Sequence, residues 1–91
     1  MSIQENIGNY YEKRVADALA IQLKDSDLDV ERLADIACVA LNHLPPRYFR
    51  HEIDMAFYLS PSEFQEMKTK VDKAIADAIS YVVESHREDL S

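Results

Sequence analysis

Apolar residues recur at spacings of three and four along most of this chain, and the places where that rhythm stops divide it into elements. Ile3, Ile7, Tyr10, Tyr11, Val15, Ala18, Leu19 and Ile21 fall in one broad sector of a helical wheel, which predicts a first amphipathic helix over about 3–24. The sector is wider than one neighbour needs, so one edge is expected on the chain's own core and the other on a second subunit. Gly8 weakens the first turns by roughly 1 kcal/mol relative to alanine, so the helix is expected to fray there or begin later. Tyr10 and Tyr11 are adjacent and cannot point the same way, which predicts one hydroxyl at a polar edge or an interface.

Lys24-Asp25-Ser26-Asp27 is a polar break, and Ser26, Asp27 and Asp29 all suit an N-cap. A second helix follows over about 27–43. Leu33, Ile36, Ala37, Ala40 and Leu44 share one face, with Leu41 at its edge. Arg32, Asp35, Val39, Asn42 and His43 fall on the other, and Arg32 and Asp35 are spaced for an ion pair on a solvated surface. Pro45-Pro46 stops the helix, because the first proline drives Leu44 out of the α region and the pair holds an extended direction. Beyond it, Glu52 to Leu59 partly alternates, with Ile53, Met55 and Phe57 on one side. Two short extended segments are expected, about 47–50 and 56–59, paired as a small hairpin or across a dimer.

Ser60-Pro61-Ser62-Glu63 is a capping box with proline at the first helical position. It predicts a third helix over about 61–86. Phe64, Met67, Val71, Ala74, Ala78 and Tyr81 form its core stripe, joined by Ile75, Ile79, Val82 and Val83, with the polar end from Glu84 fraying. The fold class is therefore mainly α, three helices with a short extended segment or small hairpin between the second and third, in a single domain over 1–91.

Composition narrows the function. Apolar residues are 47% and charged residues 30% of the 91, which fits a globular chain, and a single glycine leaves nothing from which to build a Gly-rich phosphate loop. The formal charge of −7 opposes binding of a nucleic acid polymer, which rests on neutralising phosphates. Residues 1–42 hold eight acids and four bases, and residues 52–91 nine acids and four bases. Between them His43, Arg47, Arg50 and His51 stand without an acid, a local positive site on a negative chain whose arginines either take an anion or pair with neighbouring acids. Cys38 is the one cysteine, expected as a small buried or half-buried residue; it excludes an internal disulfide and a multi-cysteine zinc site. There is neither a signal-like leader nor an eighteen-residue apolar span, so no membrane association is expected and the location is expected to be cytoplasmic.

No metalloprotease helix and no nucleophile motif is present, and the spacing of His43 and His51 with Asp35 or Glu52 matches no standard ligand set. The reading is a protein that is not an enzyme and carries no metal and no cofactor.

Ala37 to Tyr48 reads ACVALNHLPPRY, which resembles the ALNxLPPxY signature of the late competence development protein ComFB family; Asn9-Tyr10-Tyr11-Glu12 followed by Val15 is similar to the family's N-terminal NxxExxV helix. The matching positions are Asn42, Leu44, Pro45, Pro46 and Tyr48, with Asp35 where members often place an acid. The resemblance covers roughly 3–60. It implies a small, mainly helical, homodimeric domain, and some members are receptors for cyclic di-GMP. Other members bind zinc through clustered cysteines, which this sequence lacks.

The chemistry of such a ligand suits the residues at hand. Arginine forks match phosphate oxygens and the O6/N7 edge of guanine, a carboxylate accepts from guanine's other edge, and tyrosine stacks on the base. Arg32, Asp35, Asn42, Arg47, Tyr48, Arg50 and His51 are the candidate ligand-binding set. The expectation is a homodimeric cyclic dinucleotide sensor working through a protein partner. The alternative is a protein-protein interaction domain with no small ligand.

Overall fold

The computed structural model describes residues 2–90, with the side chains of all but Glu52, Ala56 and residues 85–90. A short 3-10 turn, Ile3–Asn6, leads to strand β1 (Gly8–Asn9) and helix α1 (Tyr10–Gln22). Helix α2 (Val30–Asn42), strand β2 (Tyr48–Phe49), helix α3 (Glu52–Tyr58) and the long helix α4 (Pro61–Leu90) complete the order. The architecture is mainly helical, as the periodicity indicates, with a two-stranded antiparallel ribbon as its only sheet among the described residues.

Three of the expected boundaries move. The first helix begins at Tyr10 and not near residue 3, because Asn9 takes extended angles and its side chain caps the Tyr11 amide. Ile3 and Ile7, counted in the helical stripe, precede the helix and are exposed. The second helix starts at Val30, since of the three candidate caps it is Asp29 whose carboxylate accepts the Arg32 amide, at 2.8 Å. The third expected helix is α4, which runs through Leu90 and not to about 86.

The segment 56–59 is not a strand. Residues 52–58 form α3, anchored by Met55 and Leu59, which lie four apart and are both buried. Ile53 and Phe57, also four apart, are exposed on its other side. β2 pairs instead with β1, Gly8 opposite Phe49 and Asn9 opposite Tyr48, so the extended segment is tied to the start of α1 and not to its own neighbour.

The core draws on every helix. Val15 of α1, Ile36 of α2 and Ile75 of α4 are fully buried, each worth about 1.5–3 kcal/mol in area removed from water. Tyr10 is the junction between layers. Its ring meets Phe49 edge-on at 6.1 Å and lies 6.4 Å from Phe64, joining α1, the ribbon and α4. Tyr11 is buried as well, so both tyrosines are enclosed. Cys38 is exposed, against expectation: Ile36 and Ala40 point inward, and a residue two positions from each falls on the far side of the helix. Tyr81, assigned to the core stripe of the last helix, is also exposed, as is Ile21 at the free edge of α1. Among the described residues no helix is long and apolar enough to cross a membrane.

Candidate functional site

The turn after α2 determines how the basic segment is presented. His43 and Leu44 close the helix with tight bonds to the carbonyls of Ala40 and Leu41, and the two prolines then carry the chain away in extended form. The chain is caught at once by Asn9. The Asn9 Oδ1 accepts the Arg47 amide at 3.0 Å as well as the Tyr11 amide at 3.2 Å, and the Tyr10 amide donates to the Arg47 carbonyl at 2.7 Å. The Arg47 backbone is fully engaged while its side chain stays exposed. Strand alternation then turns Phe49 inward against Tyr10 and leaves Tyr48 and Arg50 outside, followed by exposed His51.

Arg47 lines a hollow of about 190 Å³ with Tyr11, the two prolines, Glu63, Glu66 and Lys70. Two acids balance two bases there, and Glu63 Oε1 is already held by the Ser60 amide and hydroxyl. Burial pushes the Tyr11 phenol above its usual range; the nearby Arg47 charge acts in the opposite sense and Tyr10 in the same sense. Arg50 lines a different hollow, of about 390 Å³, with Ser2, Ile3, Asn6 and Ile7. That lining contains no acid.

The remaining candidates lie along α2. Arg32 and Asp35 pair at 3.2 Å on an exposed surface, a contact worth under about 1 kcal/mol. Asn42 lines a third hollow, of about 550 Å³, with Val39, His43, Asp77 and Tyr81. Tyr48 and His51 line none of these three hollows. Within one chain, then, the candidate set divides into a ribbon group (Arg47, Tyr48, Arg50, His51) and an α2 group (Arg32, Asp35, Asn42). Sequence reasoning missed Asp77 and Tyr81, although their spacing of four places both on one face of α4. Among the described residues no cluster of three or more His, Cys, Asp or Glu is placed to hold a metal ion.

The family model of the late competence development protein ComFB matches residues 8–86 of the chain. The chain belongs to the ComFB family. No curated protein and no solved structure matches it. In this ComFB domain the two stretches that carry the family resemblance meet physically, since Asn9 from the first holds the residue that follows Pro46 in the second.

Proposed function

We propose that this ComFB domain is a non-enzymatic sensor of cyclic di-GMP that works as a homodimer, through a protein partner, in the cytoplasm. The observation that carries the reading is the ribbon. Arg47, Tyr48, Arg50 and His51 are all exposed, around inward-turned Phe49, on a backbone held by Asn9, and Arg50 stands in a hollow whose lining has no acid. Exposed guanidinium groups beside an exposed aromatic ring suit a ligand made of phosphates and bases. The ligand is nearly two-fold symmetric, and a two-fold dimer would present the basic segment twice to it. Exposed Ile53, Phe57 and Tyr58 on α3, directly after that segment, supply apolar surface for the second subunit.

The same α3 surface favours a second reading, a domain that docks a protein and takes no small ligand. Calorimetric titration with cyclic di-GMP and with cyclic di-AMP separates the two. Saturable heat with cyclic di-GMP supports the sensor. Silence with both ligands at millimolar concentration retires it in favour of the docking domain.

A further inference from the structure

The hollow between α2 and α4 has a chemistry unlike that of the ribbon. His43 donates its Nδ1 hydrogen to the Val39 carbonyl at 2.8 Å; a carbonyl can only accept, so in the neutral ring the other nitrogen, Nε2, is left as an acceptor. Asp77 adds a carboxylate, whose Oδ2 receives Lys73 Nζ at 2.7 Å. The Asn42 carboxamide has no partner among the described residues and can present either a donor or an acceptor. Tyr81 is 62% exposed and offers an aromatic face, while its apolar neighbours Ala78, Ile79, Val82 and Val83 are buried or half-buried.

A hollow lined by a carboxylate and an acceptor nitrogen offers a phosphate few donors. It suits a planar ring that presents hydrogen-bond donors. Lys73 pairs with Asp77 on an exposed surface and offsets part of its charge, which favours a neutral donor edge over a cation. Guanine has such an edge, with N1 and N2 hydrogens side by side, whereas adenine offers one donor next to an acceptor. We infer that the hollow formed by Val39, Asn42, His43, Asp77 and Tyr81 is a guanine-base subsite, with Tyr81 as stacking platform and Asp77 as reader of the donor edge. The inference deepens the sensor reading and rests on it for the choice of a nucleotide base. It divides the work between the ribbon, which takes phosphate, and the α2–α4 hollow, which takes a base.

The test uses the full chain labelled with 15N and titrated in separate arms with GMP, AMP and argininamide. GMP is expected to shift the amides of residues 39–43 and 77–81 in the millimolar range, more strongly than AMP. Tyr81→Ala should abolish those shifts, and Asp77→Asn should bring GMP and AMP level. Both side chains are exposed, and the rest of each spectrum reports whether the variant is folded. GMP shifts confined to other residues, no shifts at all, or stronger shifts with argininamide would each overturn the subsite, whether or not cyclic di-GMP binds elsewhere. GMP shifts at the hollow combined with no calorimetric response to cyclic di-GMP would keep the subsite and sink the sensor reading alone. If cyclic di-GMP does bind, Tyr81→Ala should weaken it roughly 5- to 150-fold, the stacking of one base. Wild-type affinity in the folded variant overturns the subsite.

Discussion

The side-chain oxygen of Asn9 accepts the amide of Arg47 at 3.0 Å, across a sequence separation of 38 residues. The same oxygen caps α1 through the Tyr11 amide, so one atom both starts a helix and holds the exit of another. Asn9→Ala should therefore cost about 1–2 kcal/mol, with the ribbon amides losing protection from hydrogen exchange. Asn9→Asp keeps the acceptor and adds charge where the helix dipole welcomes it, and is expected to match the parent stability. Urea denaturation of both variants checks this; an alanine variant as stable as the parent would show that the clasp carries no weight.

Tyr11 gives a pH dependence whose sign follows from its burial. Its folded-state pKa is raised, first by desolvation, so at alkaline pH the unfolded chain gives up the phenolic proton before the folded chain does. The stability linked to the neutral phenol is fully present below about pH 10 and is lost as pH rises through the folded value. The parent should lose melting temperature above about pH 10 more steeply than a Tyr11→Phe variant, in which that titration is gone. Parallel curves for the two proteins between pH 9 and 11 would remove Tyr11 from the account.

What the sequence disclosed follows the range of the interactions involved. Ser60 and Glu63 announced their own capping box because it closes within one turn, and the structure has both of its bonds, Glu63 amide to Ser60 Oγ at 3.2 Å and Ser60 amide to Glu63 Oε1 at 3.3 Å. The core face of α2 was legible for the same reason. α3 was not: it buries Met55 and Leu59 on one side and exposes Ile53 and Phe57 on the other, so apolar residues at odd positions on both sides imitate the alternation of a strand. The partner of β2 was invisible because a two-residue ladder leaves no period and its other half lies near the start of the chain. The basic composition of residues 43–51 could be read directly. Its division from the α2 face depends on the Asn9 clasp, a contact that no local pattern encodes.

α3 makes the assembly testable. Phe57 is 79% exposed, so replacing it by glutamate removes nothing from the core of the single chain. If the second subunit covers this surface, the parent should scatter light with about twice the chain mass of 10.5 kDa at micromolar concentration, and Phe57→Glu should scatter as a single chain while keeping its helical circular dichroism. A parent already at the single-chain mass would refute the homodimer directly. A Phe57→Glu variant that remains dimeric would move the interface elsewhere, with exposed Ile21 of α1 the next residue to change.

Arg47 and Arg50 allow the phosphate side of the sensor reading to be tested without disturbing the fold. The bonds that fix this segment use the Arg47 amide and carbonyl, so Arg47→Ala removes only the guanidinium and leaves the clasp with Asn9 in place. The two positions are not equivalent. Arg47 shares its hollow with Glu63 and Glu66, whose charges oppose an incoming phosphate, whereas the hollow of Arg50 has no acid in its lining. Each charge-assisted bond lost should cost roughly 1.5–3 kcal/mol, about a 10- to 150-fold loss of affinity for cyclic di-GMP. Arg50→Ala should fall at the upper end of that range and Arg47→Ala at the lower. Added salt should weaken the parent more than Arg50→Ala, because phosphate pairing at an exposed guanidinium is screened and the variant has less of it to lose. Asp35→Asn provides the contrast: its carboxylate is engaged by Arg32 on the other side of the candidate set, so any effect on guanine preference there, and none at Asp77, would move the base from the α2–α4 hollow to the start of α2. Calorimetry on the parent and on Arg47→Ala, Arg50→Ala, Asp35→Asn and Asp77→Asn at two salt concentrations checks all of this. Unchanged affinity in both folded arginine variants would remove the ribbon from the binding site.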